Sequence, residues 1–428
     1  MKKSQLDQLV NEGILTPEKA GQIEHFFGSK PSSNTNTLNI VFSVLGAILF
    51  GLGIILIVAH NWDDFNRGTK ATFAFLPLLV GQGLCAWHLF GKGKSTGFKE
   101  AAAAFLIISI GACIALISQI YQIPGKMSGF LFLWILLSLP IVFLMRSGVA
   151  ALLSTILVTW YSLDYMAIDR SQIRLWYLLF IALISFFTYR LYQKKPKSNF
   201  VSVLLWFLPI SLLFGLNLMH NENYFYNEDF ALYLFMYLSL LGVYYLIGNH
   251  SHFQENALWK RSFTIIGSLG SAFVLYFFTF YDFWDAAFEG SFHLTGIISY
   301  TLVLIGVAML YFQYKNKSSA LTRPANWIFL IFSVIYLMAF LGMPILILTV
   351  LCNLLVLALG LLTVKAGAEQ NHFGILNYGL LIILILVICR FFDQGISFVL
   401  RGAMFIGTGI LFFIANYKLL QKRKKNEQ

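Results

Sequence analysis

The sequence predicts an all-α, polytopic membrane bundle of about fourteen spans, with both termini on the cytoplasmic side. Three observations carry that prediction. Charged residues are only 11% of the 428 and apolar ones 58%, with mean hydropathy +0.74, whereas a soluble domain is about a quarter charged. Apolar runs close to the ~20 residues that cross a bilayer recur along nearly the whole chain. Aromatics reach 17%, with 42 phenylalanines, which suits side chains facing lipid tails and the interfacial belts.

The first element, residues 1–33, reads as a short cytoplasmic helical hairpin. Leu6, Leu9 and Val10 form one stripe, Gly13 interrupts it, and Thr16, Pro17 and Glu18 supply an N-cap, a first-turn proline and an early carboxylate. A second helix presents Ile23, Phe26 and Phe27, and the Pro/Ser/Asn/Thr content of Pro31–Thr37 marks a linker, bounded as residues 34–38. So small a hairpin buries its apolar face poorly, so it is expected to rest on a protein partner, on a second copy or on the membrane. No short apolar core with a small-residue cleavage site opens the chain, so the first apolar run is expected to be an uncleaved span.

The membrane domain, 39–417, divides into Asn39–Ala59, Ala71–Phe90, Ala101–Ile120, Ser128–Met145, Gly148–Leu163, Ile173–Leu191 and Phe200–Met219. The second half continues as Phe230–Gly248, Ser262–Tyr281, Leu294–Gln313, Ala325–Leu341, Met343–Val364, Phe373–Cys389 and Ser397–Tyr417. A basic tail, 418–428, follows. With the N-terminus inside, 23 of the 30 Lys and Arg fall on inner segments and 7 on outer ones, while 11 of the 19 acids fall outside. That asymmetry fits the positive-inside rule and an even number of spans. It also explains the net charge of +11 without nucleic acid as a partner. The four cysteines, Cys85, Cys113, Cys352 and Cys389, all lie in apolar runs and read as small buried hydrophobes.

Two stretches share the pattern GAxxxGxGI. Gly46, Ala47, Gly51 and Gly53 lie in the first span, and Gly402, Ala403, Gly407 and Gly409 in the last. Such small residues let helices approach closely, and an inverted repeat would also produce the echo.

Polar residues gather at the outer ends of spans: His60, Asn61, Trp62, Asp63 and Asp64, then Gln119 and Tyr121, then Arg390 and Asp393, with Arg401 one turn inside the last span. Charges at membrane depth are functional candidates by default. Arg401 reads either as half of an anion or headgroup site with Asp393, Asp63 or Asp64, or as a snorkelling or stapling arginine. Asn217, Asn353, Asn377 and Gln82 read as interhelical hydrogen-bonders, and His88, next to Gly91 and Lys92 at a cytoplasmic span end, reads as interfacial. The acidic, aromatic outer loops His220–Asp229 and Tyr281–His293 match no metal-binding spacing. No phosphate loop, HExxH, GxSxG, CxxC or EF-hand pattern occurs, so the sequence predicts no enzyme, no metal and no cofactor.

The Gly13-Ile14-Leu15-Thr16 hairpin, the glycine-rich first span running into Asn61-Trp62-Asp63, and Gln119-Ile120-Tyr121 followed by Trp134, Pro140 and Arg146 resemble predicted bacterial membrane proteins of the domain of unknown function 2157 family. The resemblance covers roughly the first 160 residues. Arg390-Phe391-Phe392-Asp393, Ser397, Arg401-Gly402 and Phe405 resemble the ending of related multi-span proteins of unknown function. Gln122 stands where the pattern favours His, and Lys126 where an acid is common. The resemblance implies a bacterial cytoplasmic (inner) membrane location and brings no activity. The expected function is that of a transporter, flippase or channel-like protein for a lipid-like or weakly polar substrate. The alternative is a scaffold, assembly factor or sensor docking through residues 1–33.

Overall fold

A computed structural model describes residues 12–13, 16–19, 21, 62, 64–91, 95–164, 170–196, 198–219, 230–249, 261–285, 294–315, 326–391, and scattered positions from 399 to 417. The chain divides into two compact units, Met1–Ala74 and Phe75–Gln428. In the first, Gly13 has φ +73°, as a helix-breaking glycine allows, and Phe65 stacks on Phe73 at 5.5 Å. Most of the predicted hairpin, the linker, the first span and most of the last span lie outside the described residues.

The helices are α1 (Arg67–Leu89), α2 (Thr96–Ile120), α3 (Met127–Met145), α4 (Gly148–Ser162), α5 (Arg170–Lys194), α6 (Asn199–Gly215), α7 (Phe230–Gly248), α8 (Ser262–Phe277), α9 (Tyr281–Asp285), α10 (Leu294–Lys315), α11 (Ile328–Phe340), α12 (Ile345–Glu369) and α13 (Phe373–Phe391). Among the described residues nine helices are long and apolar enough to cross a membrane, and α4, α8 and α11 are shorter apolar helices. These twelve match the middle twelve predicted spans one for one, as the apolar periodicity required.

Boundaries moved for local reasons. Helix α2 starts at Thr96 rather than Ala101, because the Ser95 hydroxyl accepts from Phe98 N–H at 3.3 Å and caps it. Helix α8 stops at Phe277. Its last carbonyls close a turn through Thr279 and Phe280, and α9 begins where a loop was predicted.

The packing is inside-out relative to a soluble protein. Leu79, Leu144, Leu175, Leu304 and Leu341 are each more than 60% exposed, while Ser138, Ser154, Ser239, Ser299 and Asn326 are fully buried. Apolar rims around polar-spotted interiors are what helix packing in lipid produces. Several buried hydroxyls turn back onto their own helix: Thr155 donates to Ala151 O at 2.8 Å and Ser239 to Phe235 O at 2.8 Å.

Two cores form. Helix α4 packs against α2, α3, α5 and α6 in the first, and α7 packs against α8, α10 and α11 in the second. Helix α6 touches both. Pro209 has no N–H and so leaves the Leu205 carbonyl without its helical donor; the Ser262 hydroxyl of α8 supplies one at 2.7 Å. Tyr244 of α7 donates to the Pro209 carbonyl at 3.0 Å.

Aromatic donors recur as ties between helices. Trp134 Nε1 donates to Ile107 O at 2.7 Å and the Tyr177 hydroxyl to Ser211 O at 2.8 Å. In each case a glycine stands four residues beyond the accepting carbonyl, Gly111 and Gly215, and any Cβ there would run into the ring.

Candidate functional site

The buried stripe of α13 is Leu376, Gly379, Ile382, Ile383, Leu386, Val387 and Arg390. The helical period that turns its apolar residues inward therefore carries Arg390 inward as well. Arg390 is 8% exposed, a notable burial for a group charged at any physiological pH.

Its cradle comes from the turn that ends α8. Thr279 N–H closes on Tyr276 O at 3.1 Å, and its hydroxyl donates to the same carbonyl at 2.6 Å. That leaves the Thr279 oxygen facing Arg390 Nη2 at 3.3 Å. The guanidinium lies 4.5 Å from the centroid of the Phe280 ring, a cation–π arrangement. Position in the last turn of α13 adds the favourable end of the helix dipole.

Helices α12 and α9 hold this turn in place. Asn353 Nδ2 of α12 donates to Thr279 O at 2.9 Å and to Thr349 O at 2.8 Å. Trp284 of α9, fully buried, donates to Phe278 O at 2.8 Å, and its ring joins Phe278, Phe332 and Tyr336. The Tyr276 hydroxyl donates to Ile382 O at 2.9 Å, tying α8 to α13. Thr349 Oγ1 is buried with no hydrogen-bond partner among the described residues. Chemically the site offers a fixed positive charge, an aromatic face and the Thr349 hydroxyl. An arginine does not trade protons at neutral pH, so the arrangement suits holding or orienting a group rather than acid–base chemistry.

The other predicted site residues are spread through the chain. Gln119 is exposed in the last turn of α2 and Tyr121 is half exposed just beyond it; α2 contributes its buried residues to the first core, whereas α13, which carries Arg390, contributes to the second. Trp62 and Asp64 belong to the N-terminal unit, where the Lys70 ammonium stands 5.7 Å from the Trp62 ring and Asp64 is exposed. His60, Asn61, Asp63, Asp393 and Arg401 lie outside the described residues. So do Gly46, Ala47, Gly51, Gly53, Ala403 and Gly407. At Gly402 and Gly409 a Cβ would meet nothing within 4 Å among the described residues.

Sequence reasoning missed Thr279 and Phe280, which it placed inside an apolar span. It also missed a polar knot at the start of α2. Glu100, 7% exposed, accepts from the Ser147 hydroxyl and, at 2.9 Å, from Val149 N–H at the start of α4. Its other oxygen pairs with Lys99 Nζ at 3.0 Å, and Lys99 donates to Arg146 O at 2.8 Å. The available signals were two serine N-caps, Ser95 before α2 and Ser147 before α4.

Among the described residues no group of three or more His, Cys, Asp and Glu could hold a metal ion, and all four cysteines are free. No curated protein and no solved structure matches the chain. Residues 7–151 match the sequence model of a family described as a predicted membrane protein (DUF2157), a stretch that holds Lys99, Glu100, Arg146, Ser147 and Val149 and ends well before Arg390.

Proposed function

We propose that this membrane protein is a non-enzymatic transporter, flippase or channel-like protein of the bacterial cytoplasmic membrane, acting on a lipid-like or weakly polar substrate. The observation that carries the proposal is Arg390, a permanent charge buried on the inward stripe of an otherwise apolar helix. Burying a charge near the end of a span is costly, and such residues mark substrate paths in membrane proteins. The many apolar helices and short connections supply walls for a path without adding a soluble catalytic domain. A lipid-like substrate agrees with the aromatic flank at Phe280 and with interiors whose polar groups are mostly hydroxyls and amides.

The test is reconstitution of the full chain into liposomes carrying fluorescent phospholipid analogues in one set and entrapped small neutral solutes in another. Protein-dependent lipid exchange or solute release is expected. Arg390→Gln should slow it about tenfold or more, the scale of one lost charge-assisted contact. No flux of either kind above protein-free liposomes would sink the reading.

A further inference from the structure

Helices α3 and α5 run side by side in one register. Phe132 packs on Trp176 with ring centroids 4.9 Å apart, and eleven residues later Phe143 meets Phe187 at 5.8 Å. Both pairs advance together, so the helices are parallel, and the same register sets Arg146 at the end of α3 level with Arg190 in the last turns of α5. Lys194 and Lys195 follow one turn on, exposed like both arginines. Among the described residues none of these four cations pairs with a carboxylate, and Arg190 instead lies over the Phe186 ring at 5.0 Å.

The nearby acid is already committed. Glu100 caps α4 and holds Lys99, and Lys99 in turn grips the Arg146 carbonyl. Arg146 itself is the left-handed C-cap of α3, φ 48°, and its side chain is exposed. A bound turn loses less freedom on meeting a ligand. Beneath the arginines the flank is bare hydrocarbon: Leu144 is 66% exposed, Phe186 50%, Leu183 39% and Phe143 37%.

We infer that the α3–α5 end is a docking site for an anionic phospholipid, with Arg146 and Arg190 bracketing the headgroup phosphate and the Phe143, Leu144, Leu183 and Phe186 flank taking the acyl chains. Charge complementarity selects the anion, since guanidinium forks match phosphate oxygens. The exposed apolar side chains next to the arginines on both helices select a lipid over a free phosphate. This inference stands independently of the transport reading, because a scaffold in the same bilayer would carry the site equally well.

The full chain in dodecylmaltoside is titrated with phosphatidylglycerol, with phosphatidylcholine and with inorganic phosphate, reading the thermal midpoint and, by native mass spectrometry, the number of lipids retained. Phosphatidylglycerol is expected to raise the midpoint and stay bound while the other two leave it unchanged. Arg146→Ala and Arg190→Ala should each weaken phosphatidylglycerol about fivefold and together about 25-fold, the scale of one basic residue at an anionic surface. Lys126→Ala, an exposed cation at the opposite end of α3, should change nothing. Undiminished phosphatidylglycerol binding in the double variant, or equal stabilisation by phosphatidylcholine or by inorganic phosphate, overturns the assignment.

Discussion

The Ser262 hydroxyl stands 2.7 Å from the Leu205 carbonyl, the one acceptor in α6 that Pro209 deprives of its helical donor. In lipid no water can take over such a group, so a neighbouring helix must.

That pairing makes Ser262 and Pro209 thermodynamically dependent on each other. Ser262→Ala is expected to lower stability by about 1 kcal/mol. In a Pro209→Ala background, Leu205 O regains a donor and the same change should cost less. A double-mutant cycle on thermal midpoints in detergent measures the difference, and strictly additive effects would show that the proline has no part in it.

Gly111→Ala should destabilise by about 2 kcal/mol or more, because the added methyl meets the Trp134 ring that reaches across to Ile107 O. Gly83 faces open space in the same region. Gly83→Ala should be neutral or slightly stabilising, since alanine favours the helix by about 1 kcal/mol, so only the Gly111→Ala midpoint should fall.

Glu100→Ala leaves the Ser147 hydroxyl, the Val149 N–H and the Lys99 ammonium short of an acceptor. The expected cost is about 2–4 kcal/mol. Glu100→Gln keeps one carbonyl oxygen for the cap and should recover part of it. Equal losses in chemical-denaturant unfolding would mean that only the charge matters.

Arg390→Lys keeps the charge but loses the planar guanidinium that faces Phe280 while reaching Thr279. A drop of about 1 kcal/mol is expected, with Phe280→Leu giving a similar loss alone and little further loss on top of Arg390→Lys. Independent losses would show that the ring and the guanidinium do not act together.

Most of the helical layout was readable because lipid enforces it: each crossing needs a long apolar run, and twelve such runs returned as helices within a few residues. The misplaced boundaries were set by small polar groups. Ser95 extended α2 back past Lys99 and Glu100, and Thr279 ended α8 early. Arg390 was visible as a charge at a span end, but its cradle was not. Thr279, Phe280 and Asn353 come from segments more than seventy residues apart in places, and nothing in a one-dimensional pattern says that α8, α12 and α13 meet. The knot at Glu100 was hidden for the same reason, with its partners on two helices and in a turn between them.

The aromatic ties have an evolutionary consequence. Trp134, Tyr177, Tyr244, Tyr276 and Tyr378 all donate to main-chain carbonyls, those of Ile107, Ser211, Pro209, Ile382 and Ser268. A carbonyl belongs to every amino acid, so each accepting position is free to change identity without losing the bond. Relatives could thus share the same helix arrangement while drifting apart at half of each tie, leaving the donor aromatics and the glycines that admit them as the traces by which such kinship is recognised.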